Sequence, residues 1–423
     1  MNYQVDYIKS NSYSSLSKSK EIDKTVFYLC LIDILFIPYA FFVAVSYSFF
    51  ILMPWLVIRH RRIQKKYKEF KIYLLFIVLV IISTVMGIIV NGSMEENISQ
   101  GIRIIQILGY YFLFRNYLDE NRVNIKAFMM LFCIFVVFFC FIYNLDKHLY
   151  SQIIRLWNPR GLSMAASLYK DLSGYRYCFL WMDPNNIAYM FVGIVTFILT
   201  NEKTEFVSKI ILVMGLLFVL ISSMSSGGII SLIVESVVLI VLSLTKKKQG
   251  RLFVVKLKTF FTMLLLPAII YFIKRIWDSY SQSTVALESF DRFNDNSVNS
   301  RLEIYKRIIF QTNFILYIFI GYGGVTYVGG VIQKPHNGHL YLILAFGMIA
   351  YFIFMYIVFR KRHITPVYNY IWIIPIFLGF SANVLLGEVK LSAIIMLMVA
   401  CSSSEKYLAD RDNIFVGETK DEG

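Results

Sequence analysis

Residues 72–90 read IYLLFIVLVIISTVMGIIV, a run without a single charged side chain. A membrane-spanning helix needs about 20 predominantly apolar residues, so this run predicts a transmembrane helix. Its flanks set its direction. Arg59-His60-Arg61-Arg62 through Lys71 is dense in cations, whereas residues 91–100 hold no Lys or Arg and carry Glu95 and Glu96. Loops on the cytoplasmic side of a membrane collect Lys and Arg. The basic stretch 59–71 therefore reads as an inner loop and 91–100 as an outer one.

The same alternation extends along the chain. Residues 25–58 are too long for one helix and fit two short ones broken near Pro38-Tyr39. Helices near 101–117 and 126–145 lead to an outer stretch at 146–185. Helices at 186–200, 210–224 and 228–245 follow, with 201–209 inside and Ser225-Ser226-Gly227-Gly228 outside. The stretch from Lys246-Lys247-Lys248 to Lys258 is inside, and a helix at 259–275 leads to the largest outer loop, 276–338. A helix at 339–359 ends at Arg360-Lys361-Arg362, and two more lie near 368–384 and 389–402. The expected fold class is thus all-α, a polytopic bundle of about 12 transmembrane helices with two large outer loops. Residues 1–24, with Lys9, Lys18, Lys20 and Lys24, read as a cytoplasmic tail without a cleavable signal peptide. The transmembrane domain is 25–402, and 403–423 is a second cytoplasmic tail.

Composition agrees. The chain is 57% hydrophobic and only 16% charged, with a mean hydropathy of +0.61, which excludes one soluble core. A formal charge of +15 reads as inner loops at a membrane surface rather than as a nucleic-acid site, so no nucleic acid is expected as a partner. Cys30, Cys133, Cys140, Cys178 and Cys401 are scattered, mostly in apolar runs, without metal spacing or an outer pair.

The polar chemistry lies in the outer loops. Gly174-Tyr175-Arg176 precedes Asp183-Pro184-Asn185-Asn186, where Pro184 pre-sets a helix start whose free N–H groups favour an anion. A plain helix cap with an aromatic belt of Tyr175, Tyr177 and Trp181 explains the same residues. In the larger loop, Asn299-Ser300-Arg301-Leu302 opens an amphipathic helix with Leu302, Tyr305, Ile308 and Ile309 on one face. The apolar run 314–320 is too short to span and is expected to dip back towards the bilayer. It ends in Gly321-Tyr322-Gly323-Gly324, followed by Lys334-Pro335-His336-Asn337. The dip would bring Arg301, the glycine turn and His336 to one side of an outer cavity. His336 either handles a proton or caps the next helix, with His339 as a substitute one turn on. Arg103, a short way into its helix, either snorkels to headgroups or meets an anion. Asp33 and Glu235 lie in apolar runs, where charge partners explain them as well as catalysis does.

The order Arg176…Asp183-Pro184-Asn185, a Ser/Gly element, Asn299-Ser300-Arg301…Gly321-Tyr322-Gly323 and His336-Asn337 resembles the O-antigen ligase and polymerase family over residues 170–360. The resemblance implies a metal-independent, GT-C-like glycosyltransferase without a cofactor, in the bacterial cytoplasmic (inner) membrane, its active site facing the periplasm or exterior. It would move a glycan from undecaprenyl diphosphate to the sugar hydroxyl of a lipid-linked repeat unit, building O-antigen or capsule. By that resemblance and by charge, Arg301 and Arg176 stabilise the diphosphate and His336 takes the acceptor's proton. Arg103, Asn185, Tyr322, Lys334 and Asn337 bind substrate. Partners implied are the undecaprenyl-diphosphate-linked oligosaccharide, membrane lipid and a chain-length regulator protein. A polymerase is the preferred reading; the alternatives are a ligase acting on lipid A core and a flippase of lipid-linked oligosaccharide. A flippase places its cations along a central cavity, whereas here they cluster in two outer loops. Two positions depart from the family pattern. Phe179 stands three residues after the first arginine, where the family often has a glycine, and Ser225-Ser226-Gly227-Gly228 stands where it often has Ser-Arg-Gly.

Overall fold

The computed structural model describes residues 20–35, 37, 46–92, 94–121, 123–157, 176–179, 183–202, 204–245, 306, 318–323, 327–328, 331–332, 337–360, 367–382 and 388–409. The helices are α1 (20–35), α2 (Phe49–Lys66), α3 (Glu69–Asn91), α4 (Met94–Leu118), α5 (Ile125–Leu145) and α6 (Lys147–Trp157). They continue as α7 (Pro184–Asn201), α8 (Phe206–Ser223), α9 (Ser226–Thr245), α10 (Gly338–Phe359), α11 (Ile373–Ala382) and α12 (Val389–Cys401). Among the described residues the strands form one two-residue antiparallel ladder, β1 (Tyr327–Val328) with β2 (Val331–Ile332). Four helices among the described residues are long and apolar enough to cross a membrane: 69–90 in α3, α5, α8 and α10. Shorter apolar helices occupy 226–242, 373–382 and 389–401. The helix expected at 259–275 lies outside the described residues.

Local chemistry sets most boundaries. Asn124 caps α5 by accepting the Ala127 N–H at 2.9 Å, and Gly92 ends α3 in the left-handed region at φ 67°. Exposure then sorts the helices into two kinds. α3 leaves Leu75, Val78, Ile82, Val85 and Ile89 exposed, as lipid-facing helices do. α4 is the reverse, with Tyr110, Tyr111, Phe112, Leu113 and Phe114 all fully buried. It packs against α12, α3 and α2. α7 and α12 are buried on nearly every side as well. A helix enclosed by other helices can carry polar side chains that lipid would reject. Gln106, Thr196, Thr200, Lys390 and Ser392 sit in these three.

One end of the bundle is tied by ion pairs. Arg59 meets Asp23 at 2.9 Å, Arg62 meets Glu120 at 2.7 Å, and Arg115 meets Glu69 at 3.5 Å. Lys66 lies 3.2 Å from Glu120, and Arg360 lies 4.0 Å from Glu69. Burial pushes the Glu120 carboxyl up, but Lys66 and Arg62 together outweigh it and hold it below the usual carboxylate value. This lattice corrects the reading of 59–71 as a loop. α2 runs on through Lys66, and only Tyr67 and Lys68 separate it from α3. Lys and Arg are good helix formers, and carboxylates from α1 and the end of α4 neutralise the cations that turn inward. The expected outer loop 91–100 is likewise mostly helix, because α4 starts at Met94.

A second charged group lies deep in the bundle. Asp33 is ten residues along α1 from Asp23, or about 15 Å at 1.5 Å per residue. Its Oδ1 lies 3.6 Å from the Lys390 ammonium, and both side chains are 2–3% exposed. Lys390 also donates to the carbonyls of Asp33, at 2.7 Å, and Ile37. The other oxygen of Asp33 accepts the Ser48 N–H at 2.9 Å and the Ser48 and Ser46 hydroxyls. Tyr110 adjoins both serines and accepts from Gln106 at 2.9 Å. The expected charge partner of Asp33 is therefore present, supplied by α12.

Candidate functional site

At the end opposite the ion-pair lattice, Arg176 lies in the short non-helical segment 176–179. Its Nε donates to the Ser223 carbonyl at 2.7 Å, and its Nη2 donates to the Met224 carbonyl at 3.0 Å and to Asn185 Oδ1 at 3.1 Å. A cation on the last carbonyls of α8 is favoured by the helix dipole. Asn185 Oδ1 also accepts the Ser225 hydroxyl at 3.0 Å, and Ser225 Oγ caps α9 by accepting the Gly228 N–H at 3.1 Å. Asp183 caps α7 through the Asn185 N–H at 2.7 Å, with Pro184 in the first turn. The structure thus joins Arg176, Asn185 and the Ser/Gly element, as their order suggests. Through these bonds Arg176 holds the end of α8 against the starts of α7 and α9.

The two departures from the family pattern have physical explanations. Phe179 adopts φ 57°, the left-handed region that favours glycine. The strain is offset by packing: its ring meets Phe132 and Phe139 at 5.7 and 5.8 Å, and its carbonyl accepts the Tyr150 hydroxyl. At the start of α9, a Cβ on Gly227 would lie 2.1 Å from the Tyr189 hydroxyl, and one on Gly228 would lie 2.6 Å from Ala188 Cβ. The glycines therefore let α7 and α9 approach closely.

The second half of the site is built on a break in α10. Gly347 has φ 85° and ψ 162°, outside helical geometry. The carbonyls this frees are taken by the glycine turn: Tyr322 N–H donates to Leu344 at 3.0 Å and Gly323 N–H to Ala345 at 2.7 Å. Buried backbone groups demand partners, so kink and turn need each other. Ser83 of α3 closes the junction through the carbonyls of Ile320 and Phe346. A Cβ on Gly321, at φ 76°, would lie 2.6 Å from the Ala345 oxygen and from backbone atoms of Phe346 and Gly347. Gly321→Ala is expected to destabilise by about 2–4 kcal/mol through strain and collision. Gly92→Ala, at φ 67° with open space around it, is expected to cost about 1–2 kcal/mol. Thermal unfolding in detergent compares them, and equal losses would mean that the interlock contributes nothing.

The remaining predicted residues divide. Tyr322 is buried and 5% exposed, so it packs in the bundle. Asn337 caps α10 by accepting the Leu340 N–H at 3.0 Å. Arg103 lies within electrostatic range of Tyr341, as does Glu96, and the Tyr341 hydroxyl donates to Gln100 at 2.8 Å. Gln100, Glu96 and Tyr341 were missed because a polar residue near a helix end signals only solvent. His339 is occupied by Tyr351 at 3.0 Å and Ser381 at 2.8 Å, which makes it a link between α10 and α11. Arg301, Lys334 and His336 lie outside the described residues. Among the described residues, no three His, Cys, Asp or Glu side chains stand together as a metal site.

The two halves meet around α11. Tyr189 of α7 packs against Gly227 of α9 and Gly379 of α11, and Phe380 covers Gly338 of α10. Three helix starts, at Pro184, Ser226 and Gly338, therefore lie at one end of the bundle. Each is capped by one side chain and still presents the positive end of a helix dipole, which favours an anion.

Residues 210–355 match the family model described as O-antigen ligase. The match runs from α8 into α10 and encloses Arg301, Tyr322, Lys334, His336 and Asn337, while Arg103, Arg176 and Asn185 precede it. No curated protein and no solved structure matches the chain.

Proposed function

We propose that this chain, which resembles the O-antigen polymerase and ligase family in its loops and matches that family over residues 210–355, is a polysaccharide repeat-unit polymerase. The family acts on lipid-linked polysaccharide, and several apolar helices agree with a multi-pass membrane protein. The observation that carries the finer reading is the gathering of three helix starts at the end away from the basic lattice, with Arg176 bonded between the α7 start and the end of α8. An enzyme that releases a lipid diphosphate must stabilise growing negative charge, and that end offers dipoles and guanidinium.

In this reading the acceptor sugar's hydroxyl attacks the anomeric carbon of the donor glycan. The new C–O bond forms as the bond to the undecaprenyl diphosphate oxygen breaks, and the diphosphate leaves with the electron pair. His336 takes the hydroxyl proton. Arg301 binds the diphosphate directly, while Arg176 holds the anion-binding helix starts in place. Arg103 and Lys334 add positive charge along the substrate path. Asn185, Tyr322 and Asn337 shape its walls, through caps and packing. The active site faces the periplasm or exterior of the inner membrane.

The family description favours one second reading, a ligase that uses the same donor and lipid A core as acceptor. Deleting the gene and comparing surface glycan with a wild-type complement separates them. Collapse of a ladder to core plus a single repeat assigns the polymerase. Loss of all surface glycan, with full-length polymer still on its lipid carrier, assigns the ligase and overturns the first reading.

A further inference from the structure

The cations at the basic end of the bundle divide into two sets. Arg59, Arg62 and Lys66 are paired, meeting Asp23, Glu120 and Asp119 at 2.7 to 3.9 Å. Arg61 and Lys65 of α2, with Lys68 and Lys71 at the start of α3, are exposed. Among the described residues none of these four has a carboxylate partner. Gln64, Lys65, Lys68 and Lys71 line a shallow cavity between the two helices.

The position of this second set is informative. Lys71, Leu75, Val78, Ile82, Val85 and Ile89 recur at alternating steps of four and three, which puts them on one face of α3. All but Lys71 are apolar, and all are exposed. On α2 the exposed row Phe50, Pro54, Val57 and Ile58 runs into Arg61 and Lys65 in the same way. Two apolar stripes that suit acyl chains thus lead into four cations at headgroup depth. Their place at the head of the stripes suits a lipid phosphate, because a cluster of Lys and Arg beside a transmembrane helix attracts anionic headgroups. An acidic protein would need the cations but not the apolar stripes below them.

We propose that the α2–α3 turn is a binding site for an anionic phospholipid of the leaflet at the basic end. Its phosphate is seated among Lys65, Lys68, Lys71 and Gln64, and its chains lie along α2 and α3. The full-length protein would be purified in neutral detergent and offered phosphatidylglycerol or phosphatidylcholine. Bound lipid is counted by native mass spectrometry. Wild type is expected to retain phosphatidylglycerol in preference. The triple variant Lys65→Gln, Lys68→Gln, Lys71→Gln is expected to lose roughly 100-fold in that preference, about five-fold per cation. The corresponding Lys→Arg triple should keep it, and both should melt as wild type does in detergent alone. Equal retention by wild type and the Gln triple overturns the proposal, as does equal retention of both lipids by wild type. Loss of an acidic partner protein from the Gln triple, with lipid retention unchanged, overturns it too. Should the Gln triple fail to accumulate, wild type alone decides. Retention that survives about 0.5 M salt, which screens exposed charges, rules the site out.

Discussion

Cells carrying Arg301→Ala in place of the wild-type chain are expected to lose the surface-glycan ladder while keeping the protein in the membrane at normal abundance. The leaving group in the proposed reaction is a lipid diphosphate, and its charge grows as the glycosidic bond breaks. A guanidinium meets two phosphate oxygens at once and keeps its charge at any physiological pH. Removing one such donor from a preorganised site costs roughly 100- to 1000-fold in turnover. Arg301 also lies in a polar stretch of sequence, so its loss should spare folding. Arg301→Lys keeps the charge but not the paired geometry, and should leave a short, faint ladder. The gel is run at matched membrane abundance. A full ladder from the alanine variant would remove Arg301 from the site.

The second large effect is on stability. Asp33→Ala leaves the Lys390 ammonium buried between α1 and α12 with its carboxylate partner gone. Breaking a buried pair by removing one partner costs about 3–5 kcal/mol, since the remaining charge is uncompensated. The serine donors around Asp33 lose their acceptor as well. Full-length protein in the membrane fraction should fall sharply, with a lower melting temperature in detergent. The double variant Asp33→Asn, Lys390→Met removes both charges and keeps an acceptor for Ser48, so it should recover most of the loss. If the double variant were as poor as the single one, packing rather than the ion pair would be the cause.

The sequence was most legible where hydropathy acts locally. The runs at 72–90, 126–145, 186–200 and 339–359 match α3, α5, α7 and α10 to within a few residues. It was least legible where a distant partner changes the cost of a polar residue. Gln100 reads as loop by itself, yet it is helical and pairs with Tyr341 across 241 residues. Lys390 falls at the start of the run read as a helix near 389–402, with nothing local to show that its partner is 357 residues away. In the candidate site, the caps at Asp183 and Asn337 follow from residue type and spacing. The bond from Arg176 to the Ser223 carbonyl does not, because no side-chain pattern announces a backbone acceptor on another helix. Phe179 shows the same limit: its left-handed backbone is visible only once the aromatic packing that holds it is known.

The ion-pair lattice at the basic end also has a mechanical consequence. Helices fastened at one end behave as levers, and their free ends amplify any rotation about the fastening. A 20-residue helix is about 30 Å long, so a tilt of about 3° moves its far end by about 1.5 Å. Misplacement of reacting groups by about 1 Å is enough to cost roughly 100-fold in rate. The start of α7 lies at the far end of one such lever, pinned from Glu202 to Tyr407. In α10, broken at Gly347, only the C-terminal half moves with the pin from Arg360 to Glu69. Lesions at those pins should therefore be felt first as lost alignment across the membrane, in a protein that still folds and inserts.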